Sequence, residues 1–282
     1  MSYWRFSAMI ATSTVVMFIL MYLNTYALEH LFWSETRAYM AIMMGATMAV
    51  VMLGYMLSMY SNKAVNAAIF AGSLVVFATT LWLVRSQQTV QDRSFMSAMI
   101  PHHSIAIMTS SRAGLSDARV EKLAHDITVA QNREISQMRY LLADIDASGE
   151  TDEIFEDPPA EIGTLDKALN STLLSTLKPS PIAPSNLPER AETEALHCGF
   201  RRVKGEDPVL WANDESALMN LNGVIVPLER GETATDRVWG APGITMTIRH
   251  VVKGDWRGGA ELIFALEQGP TVGYRGFYDC GI

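Results

Sequence analysis

Charge is scarce in this chain. Lys, Arg, Asp and Glu make up 18% of its 282 residues, below the roughly 25% of an ordinary soluble domain. The basic residues are scattered and the net charge is -8, which argues against nucleic acid as a partner, because no basic block stands ready to neutralise phosphates. Catalytic signatures are missing as well: there is no GxSxG elbow, no Gly-rich phosphate loop and no HExxH. Their absence weighs against a nucleophilic enzyme and toward a binding protein.

Cysteine is scarcer still. The two present, Cys198 and Cys280, stand near the ends of a C-terminal segment and flank aromatic, strand-like sequence, "HCGFRRV" and "GYRGFYDCGI". That pattern predicts one disulfide, with two buried free thiols as the alternative. A bond closing a loop of about 80 residues stabilises by ~4 kcal/mol in the chain-entropy model and persists in an oxidising compartment.

What the chain has in excess is apolar residues, 49% of the total, and the excess sits at the front. Runs at about 7–27, 38–60 and 64–84 each have the roughly 20 residues needed to cross a ~30 Å hydrocarbon core. They predict three transmembrane helices; a cleaved signal peptide would show one short apolar stretch, so the N-terminus is expected to be retained. Charge leaves the orientation open, since Arg5 and Lys63 fall on one side and Arg37, Arg85 and Arg93 on the other. The expected disulfide decides it: an extracytoplasmic C-terminus after three spans puts the N-terminus in the cytoplasm.

The second run carries Met40, Met44, Met48, Met52 and Met56 at a four-residue step, with Met43 and Met59 beside them. Such a stripe could pass a soft cation, but methionine as adaptable apolar filler is the preferred reading. In the loop "LEHLFWSETR", His30, Phe32 and Trp33 read as an interfacial anchor.

Two helical patterns follow, Val90–Arg112 and Asp117–Ile145, separated by Gly114 as a stop and Ser116 or Asp117 as an N-cap. They predict an antiparallel hairpin. Pro101 either begins the first helix or kinks a longer one continuous with the third span. Residues 147–195 read as an acidic, then proline-rich linker holding a short helix at "TLDKALNSTLLSTL". From 196 onward, short alternating runs separated by Gly, Asn and Pro predict a small antiparallel sandwich or barrel. The expected organisation is therefore a multi-domain membrane protein: a three-helix transmembrane region (1–85), a helical hairpin or bundle (86–146), a linker (147–195) and a small all-β domain (196–282).

One constellation could carry chemistry. Met99 and His103 are four residues apart and share a helix face, Met96 lies one turn earlier, and His102 points about 100° away. On the second helix Gln131, Glu134 and Met138 form one stripe, which a closed hairpin would set opposite. Imidazole with thioether suits Cu(I), and imidazole with Glu134 also suits Zn(II) or Cu(II). The bland readings are a hydrogen-bonded His103, core methionines and a Glu134 paired with Arg133 or Arg139. His125 reads as a surface residue, and His197 and His250 have no companion ligands in sequence.

The segments "MIPHHSIAI" and "LAHDITVAQNREISQM" resemble the bacterial DUF305 family, whose pattern is roughly M-I-x-H-H, then L-A-x-x-I-x-x-A-Q-x-x-E-I-x-x-M. The likeness covers about residues 90–146, and the three-span front is similar to the membrane-attached subset. The resemblance implies a ferritin-like helical domain and periplasmic copper or silver binding. By position it places metal ligands at Met99, His102, His103, Met108, Gln131, Glu134 and Met138. Ile107 departs from the acidic residue often found there, which argues against a carboxylate-rich site. The expected function is a metal-binding protein of the bacterial inner membrane, its C-terminal domains periplasmic, handling copper or silver. An envelope interaction protein, with an oligomerising hairpin and a β domain binding a protein or glycan, is the alternative. A metalloenzyme using Glu134 as base is the third.

Overall fold

The three apolar runs fold as α1 (Tyr3–Leu20), α2 (Glu35–Tyr55) and α3 (Lys63–Ser86), and all three are long and apolar enough to cross a membrane. The computed structural model describes residues 2–157, 171–188, 196–231, 236–255 and 258–281. They form two compact units, residues 1–131 and 132–282.

In the first unit α2 packs on both α1 and α3. It does so through small residues: Ala41, Gly45, Ala46 and Ala49 are buried, and a Cβ on Gly45 would stand 2.2 Å from Thr14 Oγ1. Phe6, Leu53 and Tyr60 close one end, with Met52 and Met56 packed against them; part of the methionine stripe thus fills a helix interface.

Helix α1 ends at Leu20, short of the expected residue 27, and its chain end has a specific partner. Arg37 Nη1 donates to the Met21 carbonyl at 2.8 Å, supplying a cation where a helix C-terminus leaves carbonyls unsatisfied. Asn62 Oδ1 caps α3 by accepting from the Ala64 and Val65 amides, and Gln87, in the left-handed region at φ 54°, ends it.

Helix α4 (Asp92–Arg112) is separate from α3 and holds Pro101 in its interior, so the proline neither starts the helix nor joins it to the third span. It packs on α2 and on the 3-10 turn Leu28–His30. Helix α5 (Ala118–Ser148) starts after Asp117, whose Oδ1 accepts the Arg119 amide at 2.9 Å. The Arg119 side chain and amide together hold that carboxyl down at about 2.

The second unit joins the latter part of α5 to an all-β domain. Its strands are β1 (Pro179–Ser180), β2 (Cys198–Arg201), β3 (Leu210–Ala212), β4 (Ser216–Leu221), β5 (Val224–Arg230), β6 (Arg237–Ala241), β7 (Ile244–Asp255), β8 (Gly258–Leu266) and β9 (Thr271–Cys280). The ladder runs β4-β3-β2-β9-β8-β7-β6-β5, and β5 pairs back onto β4. The result is a closed antiparallel barrel of eight strands, with β1 pairing the end of β4 beyond β3, and closure removes the sticky edges of an open sheet. Asn222 and Gly223, both at positive φ, make the two-residue turn between β4 and β5, the Asn-Gly signature of a tight hairpin.

Phe200, Trp239, Met246, Leu262, Phe264 and Tyr274 fill the interior. Residues 179–187, expected to be linker, pack on the barrel through Ile182, which is buried with Trp211 and Leu218 and accepts the Trp211 indole N–H at 3.0 Å. Half of the short helix expected at 164–177 lies outside the described residues; within the other half is a 3-10 turn at Leu174–Thr176.

Helix α5 meets the barrel wall. Ser136 Oγ donates to the Arg275 carbonyl at 3.0 Å, and the Tyr140 ring covers Gly273, where a Cβ would stand 2.2 Å from it. Ile135, Ser136, Met138, Arg139 and Leu142 are buried. This docking is why the boundary between the units falls inside α5 and not in the proline-rich stretch.

Candidate functional site

The turn Pro101-His102-His103-Ser104 of α4 is held by the first turn of α2 and by the segment between α1 and α2. Arg37 Nη2 donates to the Pro101 carbonyl at 3.3 Å. Ser104 Oγ accepts the Tyr26 amide at 2.8 Å and lies 2.9 Å from His30 Nδ1. His30 and Ser104 are fully buried and Arg37 nearly so. The guanidinium also stacks 4.4 Å from the Tyr22 ring centroid, and Tyr22 Oη accepts the Ser34 amide. His30 is therefore no interfacial anchor: it is a buried contact to α4, while Trp33 stays 62% exposed.

Between these anchors the two histidines diverge, as adjacent helical residues must. Their ring centroids are 6.3 Å apart and nearly perpendicular. His102 is exposed and His103 half-buried. His103 Nδ1 lies 2.9 Å from the Met99 carbonyl oxygen. A carbonyl can only accept, so Nδ1 carries the proton; in a neutral ring that tautomer leaves the lone pair on Nε2, the form in which an imidazole ligates a metal.

Of the other expected ligands, Met99 and Met108 are half-buried on α4, and Gln131 is half-buried on α5 within the first unit. Glu134 and Met138 belong to the second unit. There Glu134 lies 3.8 Å from Arg133 Nη2 with both side chains partly exposed, and Met138 is buried on the half of α5 that meets the barrel. His125 is exposed as expected, at the rim of a small cleft with Ser110, Ser111 and Glu121. His250 faces the Tyr278 ring at 6.2 Å.

The second unit holds a cluster that the sequence reading missed. Cys198 and Cys280 form the expected disulfide, and His197 stands beside it, with the imidazole nitrogen and both sulfurs within 4.8 Å of one another. His197 thus stands beside two sulfurs, one adjacent in sequence and one brought by strand pairing, both of them joined in the disulfide. The signal was the His-Cys dipeptide next to a half-cystine.

Residues 81–178 match the model of the family Domain of unknown function (DUF305), and residues 143–282 match Domain of unknown function (DUF6692). The second match begins inside α5, so it takes in the end of the helix that docks on the barrel. An uncharacterised protein of Acanthamoeba polyphaga mimivirus is 28% identical over 102 residues, 34% of this chain and 67% of its own length. No solved structure matches the chain.

Proposed function

We propose that this chain, which carries a DUF305 domain, is a membrane-anchored metal-binding protein that handles copper or silver on the extracytoplasmic side of a bacterial inner membrane. The observation that supports this most is the fixed His103 ring. Its Nδ1–H is donated to the Met99 carbonyl, and the turn carrying it is clamped at Pro101 and Ser104. A ligand held by packing and outer hydrogen bonds loses little freedom on binding. Met99 and Met108 add thioethers on the same helix, which biases the set toward Cu(I) and Ag(I) over harder ions. We take Gln131, on the first part of α5, as a further ligand, as the ferritin-like packing that the resemblance implies would require. The disulfide is compatible with an oxidising compartment.

The test is a competitive Cu(I) titration of the oxidised full-length protein in detergent beside the His102→Ala/His103→Ala variant. The reading predicts a loss of affinity in the variant of at least the roughly tenfold that outer-shell substitutions cost. Equal affinity would remove it.

A second reading, self-association through the first part of α5, is favoured by Val120 and Leu123, which are 46% and 58% exposed on that helix. Cross-linked dimers lost on Leu123→Glu would support it, and a monomer at all concentrations would end it.

A further inference from the structure

We propose that the Cys198–Cys280 corner of the barrel is a redox-gated site for a soft, thiophilic cation of the Cu(I) or Ag(I) kind, with His197 as third ligand. It is independent of the α4 reading and uses none of its residues.

Three observations carry it. The first is proximity: one imidazole nitrogen and two sulfurs lie within 4.8 Å of one another, and ligands around one metal at ~2.3 Å Zn–S or similar bonds stand about 4 Å apart. Opening the disulfide and relaxing the sulfurs by a rotamer change therefore suffices to form a three-coordinate pocket. The second is that backbone pairing, not the disulfide alone, holds the corner. Cys198 is directly opposite Cys280, followed by Gly199 with Asp279, Phe200 with Tyr278 and Arg201 with Phe277. The Gly281 amide donates to the His197 carbonyl at 2.7 Å, and β3 pairs with the far side of β2. The third is access. Cys280 and His197 are exposed while Cys198 is buried, so a reductant reaches one sulfur and solvent reaches the pocket.

The chemistry balances with a dithiol reductant. Its thiolate attacks Cys280 Sγ, the S–S bond breaks, and Cys198 leaves as thiolate and takes a proton. The second reductant thiol displaces the mixed disulfide, releasing Cys280 and oxidising the reductant to its own disulfide. The protein gains two electrons and two protons. Binding then displaces the thiol protons, because the thiolate is the ligand. Two thiolates with one imidazole suit a soft d10 cation better than Mg(II) or Ca(II), which take oxygen ligands. In the oxidised state the corner is an ordinary structural bridge, so the same residues report on the redox state of their compartment.

The experiment uses the full-length His102→Ala/His103→Ala protein in detergent, so that failure here and failure of the α4 reading stay distinguishable. It is reduced with an immobilised phosphine, separated from it, and titrated anaerobically with Cu(I) beside an unreduced sample. The expected result is one additional Cu(I) per chain after reduction, with thiolate-to-metal charge-transfer absorption, and none before. Adding His197→Ala should weaken that binding by at least the roughly tenfold that loss of an outer-shell partner costs. The absence of a thiolate band after reduction would overturn the proposal, as would unchanged affinity in His197→Ala or a band that survives Cys198→Ser/Cys280→Ser. If the double serine variant does not fold, the oxidised and reduced samples decide alone. Loss of the barrel's circular dichroism on reduction would also overturn it, because the site depends on the β2–β9 register.

Discussion

At the scale of single residues, both units bury polar groups, some bonded and some not. In the first, His30, Ser104 and Arg37 are buried and bonded across distant parts of the chain. In the barrel, the Tyr274 hydroxyl is buried with no hydrogen-bond partner, and burial pushes its ionisation up to about 12 from 10.0 despite the nearby cations Arg202 and Arg133. An unsatisfied buried hydroxyl costs about 1–3 kcal/mol, so Tyr274→Phe is expected to leave the barrel as stable or more stable at neutral pH in chemical denaturation. The sign of its pH dependence follows from the raised value. Below 10.0 both folded and unfolded chains keep the proton; between that value and about 12 the unfolded chain ionises first, so stability falls as pH rises. Roughly 1 kcal/mol should be lost from this group by about pH 11, and Tyr274→Phe should lack that component. An alkaline limb identical in both proteins would contradict this.

At the scale of elements, close approach and register are what hold the second unit together. A Cβ at position 273 would enter the Tyr140 ring at 2.2 Å, and one at 276 would meet the Arg201 carbonyl at 2.1 Å. Gly273→Ala should loosen α5 from β9, at a cost of about 1–3 kcal/mol. It should raise hydrogen exchange over residues 135–142 while leaving the barrel strands protected. Gly276→Ala, which strikes backbone between β9 and β2, should lower barrel stability itself. Exchange unchanged over 135–142 in Gly273→Ala would show that the helix is not held there. Reducing the disulfide should cost about 4 kcal/mol by the loop-closure argument, over the observed separation of 82 residues.

What could be read from the sequence was local or covalent. Apolar run length marked the three helices, Ser116 or Asp117 marked the start of α5, and alternating runs separated by Gly, Asn and Pro marked a barrel or sandwich. The paired aromatic contexts of Cys198 and Cys280 marked the disulfide. What could not be read depends on long-range partners. Arg37 looked like a topology signal and is a clamp on Met21 and Pro101; His30 looked like a membrane-surface residue and is buried on Ser104. The helical stripe Gln131, Glu134 and Met138 is continuous in sequence, yet the boundary of the compact units cuts it after Gln131, because the face carrying Ser136 and Tyr140 is complementary to β9. The companions of His197 became visible only once β2 and β9 were set side by side.

At the scale of the whole molecule, the chain carries three apolar helices, a clamped histidine turn and a disulfide-closed barrel. The first of these predicts that the protein stays with the membrane fraction through high-salt and alkaline washes and is released by detergent. Release by salt alone would contradict anchoring. The central claim, that the α4 turn binds copper, is tested most directly by the metal content of full-length protein extracted in detergent from copper-supplemented cells and compared with His102→Ala/His103→Ala. The account predicts copper in near-stoichiometric amount in the parent protein and its loss in the variant; a parent protein without metal, or equal copper in both, would contradict it.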